Sequence, residues 1–371
     1  MFRNYRIRDY DFKLIFLLTA ITIIGILSIG SARAELQSKQ ILGFIMGFFI
    51  MIVLSFFDYS FFLRFYWGIY ALNIIFLLMV VFLGKEVNNA KRWLELGGIQ
   101  FQPSEIAKIM LILFYAQFIM KHHEKLNSLK NIAAMIILLL PPLYLIYEQP
   151  DMSTSVVIVV IFCVVWYVGG LSYKLILGTL AVAVPMTVIL FIMILQPDQT
   201  IINSYQQERI LAWLEPEKYA QTTAYQQTNA MMAIGSGQLW GKGLNNNMIS
   251  SVKNGNFISE PQTDFIFTIV GEELGFVGGC TVIILLFLIT LECLNVARKA
   301  KDIAGTCIAA GMAALVGFQS FVNISVATGI FPNTGVPLPF VSSGLTSLVS
   351  LYIGMGFVLN VRLQCVRKYN N

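Results

Sequence analysis

The residues able to do chemistry in this chain are few, and they stand at the ends of long apolar runs. Asp264 closes a polar stretch, Ser259-Glu260-Pro261-Gln262-Thr263-Asp264, where the chain turns apolar again, and Glu272 and Glu273 follow inside that run. Glu105 and Lys108 stand three apart at the head of another run, behind Gln102-Pro103-Ser104. Ionisable groups within apolar spans are costly and persist where they bind something or pair with one another. Residues three apart share a helix face, so Glu105 and Lys108 form either a structural ion pair or a charged pair turned toward a ligand. Asp151, after Gln149-Pro150, either caps the helix it precedes or faces a ligand. Asp264 has a similar capping alternative. Its polar approach and the two glutamates beyond it, about 12 Å deeper along a helix, point instead to an outward-facing polar cavity.

Cations accompany these carboxylates. Lys91-Arg92-Trp93 sets basic groups beside an indole, as does the run from Arg209 to Trp213, and both suit a membrane interface. Lys242 lies in a glycine-rich run, Gly235 to Gly243. Successive amides in such a run can cradle an anion, but neither a Walker nor a dinucleotide pattern surrounds it. A re-entrant or surface-lying turn is the equal alternative.

The elements that position these groups follow from composition. Of 371 residues, 57% are hydrophobic and 12% charged, and the mean hydropathy is +0.73. Soluble domains carry about a quarter charged residues, so the bilayer must be the solvent here. Ten spans are expected near 12–32, 39–57, 61–83, 104–120, 131–147, 152–170, 173–195, 264–292, 303–329 and 345–361. The fold class is therefore an all-α integral membrane protein in one polytopic unit, 1–371. Its first span is longer than a signal-peptide core and is expected to stay uncleaved. Basic clusters at Arg3, Arg6 and Arg8, at Lys121, Lys125 and Lys130, at Arg298, Lys299 and Lys301, and at Arg362, Arg367 and Lys368 fall on one side. The positive-inside rule makes that side cytoplasmic, with both termini on it. The segment from Gln196 to Gln262 is then a large extracellular loop between spans 7 and 8. Gly329 to Gly344 carries three prolines at 332, 337 and 339 and cannot continue a helix. Such backbone is tolerated at membrane depth where protein buries it or a cavity lies alongside, so it forms a second wall of the Asp264 site, with Ser342 among its candidate contacts. The net charge of +5 is accounted for by cytoplasmic loops and membrane lipid, which leaves no case for nucleic acid. The five cysteines avoid the outer loops, so no disulfide framework is expected, and His122 and His123 read as solvated loop residues.

Taken in order, these motifs resemble the SEDS family, the RodA, FtsW and SpoVE proteins of bacterial cell-wall synthesis. They are Arg92-Trp93, Gln102-Pro103-Ser104-Glu105 with Lys108, Gln149-Pro150-Asp151, Ala233 to Gly237, Gly241-Lys242-Gly243, Pro261 to Phe267 with Glu272-Glu273-Leu274-Gly275, and Pro332 to Gly344. Departures from the family pattern fall at Gln238, Glu260-Pro261-Gln262, Ser343 and Leu345, and the short termini favour a RodA-like member. The resemblance implies a peptidoglycan glycosyltransferase of the bacterial cytoplasmic membrane that polymerises lipid II into a nascent glycan strand. It implies Asp264 as the catalytic residue, Glu105 and Lys108 as the charged pair of the fourth span, and a class B penicillin-binding protein as partner. Inverting transfer from an α-linked sugar pyrophosphate needs a base for the attacking hydroxyl and cations for the leaving group. Asp264 is the expected base. Lys108, Arg92, Arg209 and Lys242 are the expected phosphate contacts, with Glu105, Asp151 and Ser342 completing the substrate site. The sequence assigns no cofactor. A divalent cation, Mg or Mn, could sit at the pyrophosphate, although no ligand cluster demands one. The competing classes are a flippase for a lipid-linked precursor, which would show inverted repeats that are not visible here, and a non-catalytic scaffold of the elongation or division complex.

Overall fold

The computed structural model describes residues 10–365 apart from 88–89, 97–98, 150, 197–198, 200–201, 203, 246–250, 252–254, 256 and 259. Arg3, Arg6, Arg8, Pro150, Ser259, Arg367 and Lys368 therefore lie outside the described residues. The chain begins with helices α1 (Phe12–Ala32), α2 (Ala34–Phe56), a short α3 (Tyr59–Leu63) and α4 (Tyr66–Leu83). Strands β1 (Lys85–Val87), β2 (Ala90–Leu96) and β3 (Ile99–Phe101) follow. Next come α5 (Pro103–His122), α6 (Leu129–Glu148), α7 (Met152–Val168) and α8 (Tyr173–Ile194). The polar segment holds α9 (Ser204–Leu214) and α10 (Tyr225–Ser236), and the chain ends with α11 (Ile266–Lys299), α12 (Ile303–Ala327) and α13 (Leu345–Cys365).

A helix coincides with each expected span. Eight of them, α1, α2, α4, α5, α6, α11, α12 and α13, are long and apolar enough to cross a membrane, while α7 and the apolar part of α8, Pro185–Ile194, are shorter. Carboxylates start several helices by accepting from a first-turn amide: Asp11 from Leu14 at 3.1 Å, Asp151 from Thr154 at 3.2 Å and Asp302 from Gly305 at 2.8 Å. Pro103 opens α5, where its missing N–H costs nothing. Ser104 falls in the first turn of that helix, and no side chain caps it.

Helices α5, α12 and α13 form the interior. Around them, α1, α2, α4, α6 and α11 turn large apolar side chains such as Phe16, Phe49, Phe82, Ile137 and Phe287 outward, as lipid requires. The end of the bundle remote from Asp264 is tied by polar side chains at the tight turn after α2. There the Tyr59 hydroxyl donates to Asp302 at 2.8 Å, and Asn360 accepts from the Tyr59 amide at 2.9 Å while donating to the Ser55 carbonyl at 2.7 Å.

Two features depart from the sequence expectation. The segment after α4 is a three-stranded antiparallel sheet of order β1-β2-β3, with Glu86 opposite Lys91 and Glu95 opposite Gln100. It is not a plain interfacial loop. The second departure is a break in α11 at Gly275, whose φ is 66° and ψ −163°. The glycine-rich run closes over this break. Lys242 and Gly243 donate their amides to the carbonyls of Glu272 and Glu273 at 2.9 and 3.0 Å, while Gln238 and Leu239 accept from the amides of Phe276 and Val277 at 2.8 and 3.2 Å. Those amides hold a helix together and are not aimed at an anion.

Gly241 sits at φ +79°, and a Cβ there would meet the Glu273 carbonyl oxygen at 2.1 Å. Gly241→Ala should therefore destabilise the protein by about 1–3 kcal/mol through backbone strain and clash. Thermal unfolding in detergent micelles measures this, and a melting temperature equal to that of the unsubstituted protein would dismiss the clasp.

Candidate active site

Asp264 lies two residues before α11. The residue that precedes the helix is Phe265, and no side chain caps it, so Asp264 is not serving as an N-cap. Its peptide is held by other segments. Asn323 on α12 donates to the Asp264 carbonyl at 2.8 Å, and the Ser342 hydroxyl donates to the Thr263 carbonyl at 2.6 Å. Over the carboxylate passes the backbone of Gly335 at φ +72°, where an added Cβ would lie 3.3 Å from Asp264 Oδ2. A side chain there would push the carboxylate aside by a few tenths of an ångström, and the positive φ itself favours glycine.

The carboxylate keeps partial exposure, but the packing around it strips most of its hydration. Its pKa is raised to about 6: desolvation raises it most, the guanidiniums of Arg209 and Arg92 lower it in part, and Asp151 and Glu260 raise it further. Three distant segments thus bring charge to one place: β2 through Arg92, α9 through Arg209 and the head of α7 through Asp151. Arg92 is steered by its Nε bond to the Gln149 carbonyl at 3.1 Å and by Asp151 at 4.0 Å. Arg209 donates to the Asn333 carbonyl at 3.2 Å. Asp151 still caps α7, accepting from the Thr154 amide and, at 2.9 Å, from its hydroxyl. Capping the helix leaves Asp151 near enough to Asp264 to act on its charge.

The remaining expected residues are placed differently. Glu105 and Lys108 are each 2% exposed and pair at 2.8 Å. Lys108 also donates to Gln319 at 3.2 Å, and Ser347 donates to Glu105 at 2.8 Å. The pair sits inside the bundle, behind the loop wall, with protein partners on both members. Lys242 pairs with Glu272 at 2.8 Å beside the break in α11, and Glu273 accepts from Ser31 at 2.6 Å. The two deep glutamates thus have protein partners. Ser342 accepts from the Leu338 amide at 2.7 Å as well as holding Thr263, so its hydroxyl locks backbone. Trp213, expected at the interface, donates its indole N–H to the Gly329 carbonyl at 3.0 Å.

Several residues of the site carry no role in the sequence reading. Gln319 donates to the Pro337 carbonyl at 2.9 Å, and Asn323, one helical turn later, donates to the Val336 carbonyl at 2.7 Å. Two carboxamides four apart in an apolar span were the available signal, because they share a face and need partners. Ser153, which donates to the Thr334 carbonyl at 2.5 Å, offered none. Among the described residues no three His, Cys, Asp or Glu side chains converge as metal ligands.

Residues 9–366 match the FtsW/RodA/SpoVE family of cell cycle proteins. The peptidoglycan glycosyltransferase MrdB of Escherichia coli K12 is 33% identical over 95% of this chain and 93% of its own length. A probable peptidoglycan glycosyltransferase FtsW of Trichlorobacter lovleyi is 30% identical over 97% and 94%. Among solved structures, a chain of a peptidoglycan synthase complex that coordinates polymerization and crosslinking superposes with a TM-score of 0.77 at 28% identity, covering 98% of this chain and 99% of that one. The rod shape determining protein RodA of Thermus thermophilus gives 0.69 at 27% identity, covering 95% and 96%.

Removing one member of a buried ion pair strands the other, at a cost of about 3–5 kcal/mol. Lys108→Leu should lose that much stability, and Glu105→Leu/Lys108→Leu should recover most of it. Unfolding of the purified proteins in detergent compares them. A single variant as stable as the unsubstituted protein would contradict the buried pairing.

Proposed function

This chain belongs to the FtsW/RodA/SpoVE family of cell cycle proteins, and on that footing we propose that it is a peptidoglycan glycosyltransferase polymerising lipid II, with Asp264 as its general base. It is a multi-pass protein of the bacterial membrane, and the site opens on the outer face. The observation that carries the reading is the setting of Asp264: a partly desolvated carboxylate flanked by the guanidiniums of Arg209 and Arg92, at the mouth of α11 under a glycine-backed loop.

The chemistry runs as follows. The Asp264 carboxylate accepts the proton of the attacking GlcNAc 4-hydroxyl as that oxygen bonds to C1 of the second sugar. The bond from C1 to the pyrophosphate breaks, the α configuration inverts to β, and polyprenyl pyrophosphate leaves with the electron pair. Arg92 and Arg209 are the cations placed to stabilise the developing negative charge. Asp151 steers Arg92. The Glu105–Lys108 pair supports the wall of the site from within, which is its contribution to substrate binding. Lys242 acts through the break in α11 in the same supporting way. A class B penicillin-binding protein is the expected partner, because the new strand must be crosslinked beside the membrane.

A base with a pKa near 6 is ionised above that value and protonated below it. Polymerisation should therefore rise about tenfold per pH unit up to a midpoint near 6 and then level off. Asp264→Asn should lower the rate by about 10²–10⁴-fold at neutral pH while the protein stays folded. Purified protein incubated with lipid II, with and without the transpeptidase partner, supplies both measurements. Wild-type polymer from Asp264→Asn would refute the assignment, and translocation without polymer would favour a flippase.

A further inference from the structure

We propose that Asn323 is the positioning residue of this site: its carboxamide bridges the Asp264 and Val336 carbonyls and so sets the carboxylate of Asp264 against the loop at 332–338. The inference rests on the reading of Asp264 as the base. Asn323 lies on α12, is 1% exposed, and uses Nδ2 for both bonds, 2.8 Å to the Asp264 carbonyl and 2.7 Å to that of Val336. A carboxamide nitrogen carries two N–H donors, and here each meets a different segment. Two carbonyls at those distances also fix which way the amide faces, since Oδ1 turned toward them would be repelled.

Nothing about helix α12 itself requires an amide at this point. A leucine would fill similar volume with no polar group to satisfy. What the amide adds is a tie between elements that meet only at the site. One turn earlier, Gln319 ties the Pro337 carbonyl to Lys108, and Lys108 is in turn anchored on Glu105, which also accepts from Ser347. The loop over Asp264 is thus held at two successive carbonyls from one helix face, and the second holder also grips the catalytic peptide. Without that grip, the carboxylate and the loop that covers it move independently. A misplacement of about 1 Å can cost about 10²-fold in rate.

The test measures the initial rate of lipid II polymerisation by the purified full chain against lipid II concentration, with thermal unfolding in parallel. Asn323→Leu should lower kcat about 10–100-fold and leave KM within about twofold, because a positioning loss acts on the reacting geometry. In the Asp264→Asn background, Asn323→Leu should cost nothing further, since the group it positions is already gone. An unchanged kcat, a raised KM with kcat preserved, or full multiplication of the two losses would each overturn the role. If Asn323→Leu does not fold, Asn323→Ser retains one donor and should fall between the two; a folded Asn323→Ser with the wild-type rate would also overturn it. Failure of the base assignment is read separately, from Asp264→Asn alone.

Discussion

Backbone that leaves a helix at membrane depth must find its hydrogen bonds inside the protein, because lipid offers none. The segment between α12 and α13 shows how heavily that constraint weighs. Its carbonyls are met one after another by side-chain donors from elsewhere in the chain. Gln227 takes Phe331, Trp213 takes Gly329, and Arg209 takes Asn333. Ser153 takes Thr334, Asn323 takes Val336, Gln319 takes Pro337, and Gln40 takes Ser342. The polar groups that look out of place in α2, α7, α10 and α12 are explained by this one loop. Asp264 depends on it too, since the same loop forms its roof.

The charged residues sort by the same rule. Burying an ion costs far more than burying an amide, so buried charges are paired: Lys108 with Glu105, and Glu272 with the partly exposed Lys242. The guanidiniums nearest Asp264 are held by backbone carbonyls and, for Arg92, by a carboxylate at 4.0 Å. Such contacts orient a cation toward the site.

Much of this was legible in the chain, for physical reasons that can be named. Apolar length marks the spans, three prolines mark the broken segment, and Asp151 announces the helix it caps. Asp264 stood out because a carboxylate at an apolar boundary needs an explanation. The rest depended on contacts between residues far apart in sequence. Nothing local tells that Gly241 will lie against Glu273, that Lys242 will answer Glu272, or that a glycine-rich run will mend a helix and not cradle a phosphate. The short sheet at 85–101 was missed because its strands of three, seven and three residues are too brief for alternation to declare itself. Glu105 and Lys108 were visible as a pair, but which way a pair faces is decided by what packs against it.

The break at Gly275 divides α11 into parts of unequal character. The nine residues at 266–274 form a rod about 13 Å long, with Asp264 just beyond its outer end. The 237–243 turn bonds to residues on both sides of the break, so it sets the angle between this rod and the lower helix. At that length a difference of about 5° in the angle corresponds to roughly 1 Å at the tip. The turn therefore shares with Asn323 and Ser342 the setting of where Asp264 stands.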